Sequence, residues 1–182
     1  MITYLIFTGG TKLKRLNIIT ILTILTLTFS QNNYAQSGVD EFNAGNYENA
    51  LAYWMQGLEA SPDSPELNFN VGKHYDKGLG TDVDTTKATQ YYLNSAKHNY
   101  APAMFSLGVI MAKNGNYESA ARWWLKASHS DLPEAQYNLA RLYYDGVGVE
   151  KDIYKAKYWY KKAAQSALTK YELLSAVLHE KN

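Results

Sequence analysis

Cysteine is absent from the sequence, and its absence excludes several kinds of structure and chemistry. A chain without cysteine forms no disulfide, offers no thiolate ligand to zinc and has neither a cysteine nucleophile nor a lipid-modified N-terminal cysteine. An excess of charge is also missing, because 18 Lys+Arg face 17 Asp+Glu and the formal net charge is +1. Such a chain lacks the positive field that attracts nucleic acid. With 182 residues, 46% of them hydrophobic, it is predicted to fold as one domain.

Acidic residues are missing before Asp40, and the bases of this region stand directly before an apolar run. Lys12, Lys14 and Arg15 precede residues 16–29, which are Leu, Ile, Thr, Phe and one Asn. As a helix this run spans roughly 21 Å, less than the roughly 30 Å of a bilayer's hydrocarbon core. The pattern predicts a secretory signal peptide over residues 1–35, cleaved near residue 30 or 35. The alternative is an uncleaved anchor in the inner membrane. Without the three bases, 15 Lys+Arg face 17 Asp+Glu, a net charge near −2.

The sequence repeats itself between about residues 36 and 165. Residues 70–80 match residues 138–148 at an offset of 68, and the match resumes at residues 84–92 and 152–160. A shorter unit lies between them, in which residues 114–116 replace a Gly-x-Gly loop. The first unit has the same short turn, because residues 44–50 align with residues 114–120 at an offset of 70. This internal similarity predicts four copies of one helix–turn–helix unit.

Each half of a unit has the apolar spacing of a helix, as in Leu67, Val71 and Tyr75 at i, i+4 and i+8. The predicted fold is all-α, a solenoid of about eight helices in antiparallel pairs, forming a repeat domain over residues 36–182 with a capping helix over residues 168–180. Small residues are expected where paired helices cross: Gly72, Gly108, Ala140, Ala50, Ala88, Ala120 and Ala156. Large aromatic residues are expected to fill the space between neighbouring pairs: Trp54, Tyr91, Trp123, Trp124 and Trp159.

The fourth unit resembles the Sel1-like repeat over residues 134–164, which read EAQYNLARLYYDGVGVEKDIYKAKYWYKKAA. Residues 65–100 are a weaker copy. Units one and three instead resemble tetratricopeptide repeats, with Gly-Asn-Tyr-Glu-x-Ala followed four residues later by Trp54 or Trp124. The resemblance implies an α-solenoid scaffold whose concave face binds a peptide or a folded partner. Exported bacterial members are linked to envelope adaptors, host interaction and antitoxins; a cysteine-rich subgroup is linked to β-lactam binding, and this chain lacks its cysteines.

Catalytic patterns are missing from the sequence. The four histidines, His74, His98, His129 and His179, form neither H-x-x-x-H nor H-E-x-x-H, so no metal site is expected. No G-x-S-x-G is present. The acids and glycines of residues 145–152 lack the ligand alternation of a calcium loop and are better explained as a turn between helices. We therefore expect no enzyme activity and no cofactor.

The candidate binding surface lies on the first helix of each unit, by analogy with tetratricopeptide grooves. Two of these helices carry an amide and a cation three residues apart, Asn70 with Lys73 and Asn138 with Arg141, which makes an acidic or C-terminal carboxylate ligand conceivable. Ser106 and Lys113 lie on the same predicted face. The predicted partner-binding residues are Phe69, Asn70, Lys73, Asp76, Lys77, Phe105, Val109, Tyr137, Asn138, Arg141 and Tyr144.

The function predicted from these features is a non-enzymatic module of the cell envelope that binds a protein or peptide in a concave groove. The partner is expected to be a protein, with no nucleic acid and no stable membrane insertion after the leader is removed. The expected location is periplasmic. Within this class the alternative is an antitoxin that neutralises a secreted effector. The alternative of another class is a periplasmic hydrolase or ligand-binding protein, which predicts a pocket of converging groups with shifted pKa values.

Overall fold

A computed structural model describes the backbone of residues 33–179 and the side chains of residues 33–168. The described backbone is all-helical, as predicted. A first helix, α1, occupies residues 33–43. The others are α2 (Tyr47–Ala60), α3 (Pro65–Lys77), α4 (Thr85–Ala96), α5 (Ala101–Lys113), α6 (Tyr117–Ser128), α7 (Pro133–Asp145) and α8 (Ile153–His179). The predicted leader lies outside the described residues, except that residues 33–35 belong to α1. None of the helices within the described residues is both long and apolar enough to cross a membrane.

The helices begin and end at the capping residues, glycines and prolines seen in the sequence. Asp84 and Asp152 precede α4 and α8, and each carboxylate accepts a hydrogen bond from the backbone N–H three residues later, at 2.9 Å in both cases. Gly78 and Gly146 follow α3 and α7 with left-handed backbone angles, φ +66° and +73°. Proline occupies the first turn of α3, α5 and α7, where its missing N–H has no helical partner to lose. The predicted helix starts at Asp84 and Asp152 and the predicted helix ends at Gly78 and Gly146 are therefore confirmed.

The turns inside the units alternate between short and long. Residues 44–46 and 114–116 connect α1 to α2 and α5 to α6, whereas residues 78–84 and 146–152 make the longer turns of units two and four. Each long turn reaches back to the preceding unit. A Cβ added at Gly148 would lie 2.6 Å from the backbone nitrogen of Glu118, and one at Gly80 would lie 2.6 Å from the carbonyl carbon of Tyr47. The second glycine of each long turn thus packs directly on the first turn of α6 or α2.

Small residues lie where paired helices cross, as expected. Ala50, Ala88, Ala120, Ala140 and Ala156 are at most 1% exposed. A Cβ added at Gly72 would lie 2.8 Å from the ring of Tyr92, which is itself 1% exposed. Because glycine has no side chain, an aromatic ring of the paired helix can lie flush against the backbone.

Two tryptophans make the same contact seventy residues apart. The indole N–H of Trp124 donates to the carbonyl of Phe105 at 3.2 Å, and the indole N–H of Trp54 donates to the carbonyl of Ala35 at 3.2 Å. Trp124 covers Gly108 as Trp54 covers Gly38. We predicted that these rings fill the space between pairs, and the Trp54 ring does contact His74 of the next pair, with centroids 5.1 Å apart. The hydrogen bonds also close the pair to which each tryptophan belongs. The equivalence also identifies α1 as the first helix of unit one.

The predicted capping helix does not form as a separate element. Helix α8 continues without a break from Ile153 to His179, so residues 168–179 extend the second helix of unit four. Residues 153–179 contain neither glycine nor proline, and an alanine-rich stretch spans the position where earlier units turn. The prediction of a helix that folds over the end of the stack is wrong for this reason.

A histidine near the C-terminal end of α3 is fully buried. His74 is 0% exposed and contacts the rings of Phe42, Tyr47 and Trp54, with centroids 5.1–6.3 Å away. Its Nδ1 lies 2.6 Å from the carbonyl oxygen of Leu79, so the neutral ring donates there, while Nε2 has no hydrogen-bond partner. Burial lowers the pKa of His74, and the charge of the nearby Lys73 lowers it further. The hydrogen bond to the Leu79 carbonyl raises it and opposes both effects.

This environment predicts that acid destabilises the protein through His74. Because the folded-state pKa is below the unfolded value of about 6.5, the unfolded chain binds the extra proton, and stability falls as pH decreases below about 6.5. His74→Leu places in unit two the residue that unit four has at Leu142. The free energy of unfolding, measured with urea between pH 7.5 and 5.0, should depend less on pH in this variant than in the wild type. An unchanged slope of stability against pH would contradict the assignment.

Candidate functional site

Two adjoining hollows lie along the first helices of units two to four, and we call them together the first-helix groove. The hollow between α3 and α5 has a volume of about 350 Å³. The hollow between α5 and α7 also has a volume of about 350 Å³, and Val109 lines both. The groove is built because the apolar stripe of each first helix faces the core while the adjacent polar stripe stays on this surface.

Most of the predicted partner-binding residues line a hollow of the structure. Phe69, Lys73, Asp76, Lys77, Phe105 and Val109 line the hollow between α3 and α5. Asn138 and Arg141 line the hollow between α5 and α7. Tyr137 lies at the edge, in a third hollow towards α8. None of these side chains is fully buried, so a partner can reach each of them.

Two predicted residues, Asn70 and Tyr144, lie outside these hollows. Asn70 is half-buried on α3. Tyr144 is 54% exposed, and the Lys151 ammonium lies 5.9 Å from its ring centroid. Asn70 and Lys73, expected to form an amide–cation pair, therefore do not line one hollow together. Asn138 and Arg141 do, because both line the hollow between α5 and α7.

The groove carries cations that are not neutralised by ion pairs among the described residues. The Lys77 ammonium lies 2.8 Å from the Asp76 carboxylate, so these two charges neutralise each other. The Lys73 ammonium lies over the ring of Phe42, 4.3 Å from its centroid. Lys113 and Arg141 line the second hollow, and neither makes an ion pair with any residue from 33 to 168. The groove thus offers cationic groups to the carboxylates of a partner.

Tyr92 forms part of the wall of the first hollow and stays neutral. Burial, reinforced by the charge of Asp76, raises the pKa of Tyr92 far above its ordinary value of about 10. The phenol therefore keeps its proton at physiological pH. Among the described residues no cluster of three or more His, Cys, Asp or Glu could hold a metal ion. The arrangement can bind a polypeptide through apolar and cationic contacts.

Several lining residues were missed by the prediction from sequence. Leu132, directly before α7, and Glu134, in its first turn, line the first hollow. Asp145 lines the second hollow, four residues after Arg141. The i, i+4 spacing of Arg141 and Asp145 is the signal that could have identified the latter. Leu132 and Glu134 have no such signal, because their position depends on how unit four stacks on unit three.

This all-helical architecture of stacked helix pairs defines an α-solenoid of the repeat-scaffold class. The Sel1 repeat matches residues 65–100, 95–131 and 133–167, more than half of the chain, and the chain belongs to the Sel1 repeat family. The matches include unit three, whose short turn resembles a tetratricopeptide repeat. Sel1 repeats form protein-interaction scaffolds, and this chain has that architecture.

Known proteins similar to this chain share its repeat region. An uncharacterised protein of Neisseria meningitidis is 29% identical over 101 residues, 56% of this chain and 21% of the relative. The chitin synthase regulator SKT5 of Saccharomyces cerevisiae is 32% identical over 87 residues, 44% of this chain and 12% of the relative. The crystal structure of a Sel1 repeat protein from Oxalobacter formigenes superposes with a TM-score of 0.66 at 30% identity, covering 72% of this chain and 55% of that one. The chain spans about a fifth or less of the two curated relatives.

Proposed function

We propose that this protein is an exported, non-enzymatic scaffold that binds a segment of a partner protein in the first-helix groove. The observation that carries the proposal is the pair of adjoining hollows lined by Phe69, Phe105, Val109 and cations. Apolar surface supplies affinity there, and the cations select a segment that carries carboxylates. A similar protein, SKT5, is by its name a regulator of chitin synthase, which supports a role exerted on another protein.

The groove is tested by reversing two of its charges. The variant Lys73→Glu/Arg141→Glu changes one cation in each hollow, and we expect it to weaken capture of the partner by about tenfold or more, because like charges then face the partner's carboxylates. The partner is identified by pull-down with the wild-type chain and mass spectrometry, and its affinity for each variant is then measured by titration.

A matched control separates the groove from the overall charge. Lys97→Glu/Lys157→Glu makes the same change in net charge at exposed lysines that line neither hollow. This control should bind the partner as the wild type does. Equal binding by the groove variant and the control would contradict the proposal.

We further propose that the leader is cleaved after Ser30 and that the mature protein is periplasmic. The support comes from α1, because the Ala35 carbonyl accepts the Trp54 indole hydrogen bond and Ala35 packs against the first core cluster of α2 and α3. Cleavage after Ala35 would remove this residue and Tyr34 from the first turns of the helix. Intact mass of the protein recovered from the periplasmic fraction should correspond to a chain that begins at residue 31. A chain that begins at residue 36, or recovery with the cytoplasm, would contradict this proposal.

A further inference from the structure

A third hollow opens at the C-terminal end of the stack, between α7 and α8, and we call it the end groove. Its volume is about 750 Å³, twice that of either hollow of the first-helix groove. Its wall on α8 consists of Tyr160, Ala163, Ala164 and Ala167. The opposite wall consists of Pro133, Glu134, Tyr137 and Asn138 of α7, together with Phe105 of α5. The lining on α8 is almost entirely apolar, and α8 passes it without turning.

The same groove exists in the two preceding units, where the next helix fills it. Ala164 corresponds by repeat position to Ser128 of α6 and to Ala96 of α4. Ser128 is 2% exposed and Ala96 is 7% exposed, whereas Ala164 is exposed. Ser128 is covered by α7, since the Gln136 side-chain amide donates to the Ser128 carbonyl at 3.1 Å. Within residues 33–168, the end groove is therefore an internal interface of this protein without the element that completes it elsewhere.

The helices that fill the earlier grooves share one apolar spacing. The residues at i and i+4 are Leu67 and Val71 in α3, Ala103 and Leu107 in α5, and Ala135 and Leu139 in α7, all at most 3% exposed. The contact is complementary in size, because a Cβ added at Gly57 of α2 would lie 2.8 Å from the Leu67 side chain. At the position of Gly57, α8 has Ala163, whose Cβ takes space that Leu67 occupies beside Gly57, so the matching residue of a bound helix is alanine.

The first helix of a second copy lacks this spacing. The positions of α1 that correspond to Ala103 and Leu107 are Asn33 and Ser37, both polar. A helix with two polar residues in this stripe would place unpaired polar groups against the alanines of α8. Helix α1 is therefore unsuited to extend the stack of another molecule.

We propose that the end groove binds an amphipathic α-helix of a partner protein, with Ala at one position and Val or Leu four residues later against α8. The bound helix lies on α7 and α8 as α7 lies on α5 and α6. This surface adjoins the first-helix groove, because Phe105 and Glu134 also line the first hollow and Asn138 also lines the second. Its α8 wall belongs to the end groove and lines neither of those hollows.

The probe for this site is a labelled synthetic peptide with the sequence of residues 131–147, which spans α7. Fluorescence anisotropy measures its binding to the purified chain. The variant Ala164→Arg/Ala167→Arg places two charges in the groove and should raise the dissociation constant about tenfold or more, because an unpaired charge is costly in an apolar site. Tyr154→Arg puts the same side chain at an 86% exposed position of α8 outside the groove and should bind as the wild type does.

Three further measurements test whether the peptide binds as a helix in the end groove. The peptide with Leu139→Glu should bind at least about tenfold more weakly, because its apolar stripe is interrupted. The Lys73→Glu/Arg141→Glu chain should retain the peptide even if the first-helix groove binds nothing. Circular dichroism should show the same helix content for every variant of the chain.

Three results would overturn the proposal. The first is undetectable binding of the peptide to the wild-type chain, and the second is equal binding by Ala164→Arg/Ala167→Arg. The third is a dimer in light scattering that these arginines abolish, since a second copy would then fill the groove.

Discussion

Replacing Trp124 with alanine is expected to lower the free energy of unfolding by about 3–5 kcal/mol. Trp124 is 6% exposed, its ring covers Gly108, and its indole N–H donates to the Phe105 carbonyl at 3.2 Å. Alanine removes the ring from the crossing of α5 and α6, and the surrounding backbone cannot close the cavity because Gly108 has no side chain to move into it. Since a domain of this size has only about 5–15 kcal/mol of stability, the loss is a large part of the total.

A conservative variant separates packing from the hydrogen bond. Trp124→Phe keeps an aromatic ring over Gly108 but leaves the Phe105 carbonyl without its donor, and we expect a loss of about 1–2 kcal/mol. Both variants are measured by urea unfolding followed by circular dichroism, with a second optical probe to detect partial unfolding of the repeat array. A loss below about 1 kcal/mol for Trp124→Ala would show that the ring does not hold the pair together.

Replacing Gly148 with alanine is expected to cost about 2–5 kcal/mol, from two causes. Gly148 has φ +70°, a conformation that disfavours any residue with a Cβ. An added Cβ would also lie 2.6 Å from the backbone nitrogen of Glu118, and neither backbone can move far because α6 and α7 are packed on both sides. The long turn of unit four would have to lift from the first turn of α6.

Gly115 provides a matched control for the backbone conformation. It has φ +76°, and nothing lies within 4 Å of an added Cβ. Gly115→Ala should therefore cost only the conformational part, about 1–2 kcal/mol. The difference between the two variants, measured by urea unfolding, reports the contact between the long turn and α6. Equal losses for both variants would show that this contact contributes nothing to stability.

Much of the candidate groove could be predicted from the sequence, because the repeat places equivalent residues on equivalent faces. Phe69, Phe105 and Tyr137 occupy corresponding positions on α3, α5 and α7, and each lines a hollow. Tyr144 was misplaced because it lies at the last turn of α7, where the surface turns towards the loop. Leu132 was missed because its exposure to the first hollow depends on the distance between two units.

His74 shows the limit of prediction from sequence most directly. Its position corresponds to Leu142 and Ile110, so the repeat marks it as a core position, while its chemistry suggests a surface residue. His74 is buried because α1 and α2 bring Phe42, Tyr47 and Trp54 around its ring. Those contacts join residues up to 32 positions apart, and no local pattern contains them.

The sequence by itself determined the helices of the four units, their turns and their pairing, because helix periodicity, N-capping acids and left-handed glycines act within a few residues. It did not determine that residues 168–179 continue α8. The repeat also determined which faces are alike. Only the tertiary structure decided which of those faces remains open. Whether a second helix is covered depends on the direction taken by the next element, and α8 continues straight where α4 and α6 give way to a turn. The physical reason is that burial is a property of two surfaces together. Ser128 is buried because α7 lies on it, whereas Ala164 is exposed because α8 continues straight beyond it and no helix within residues 33–168 lies on it.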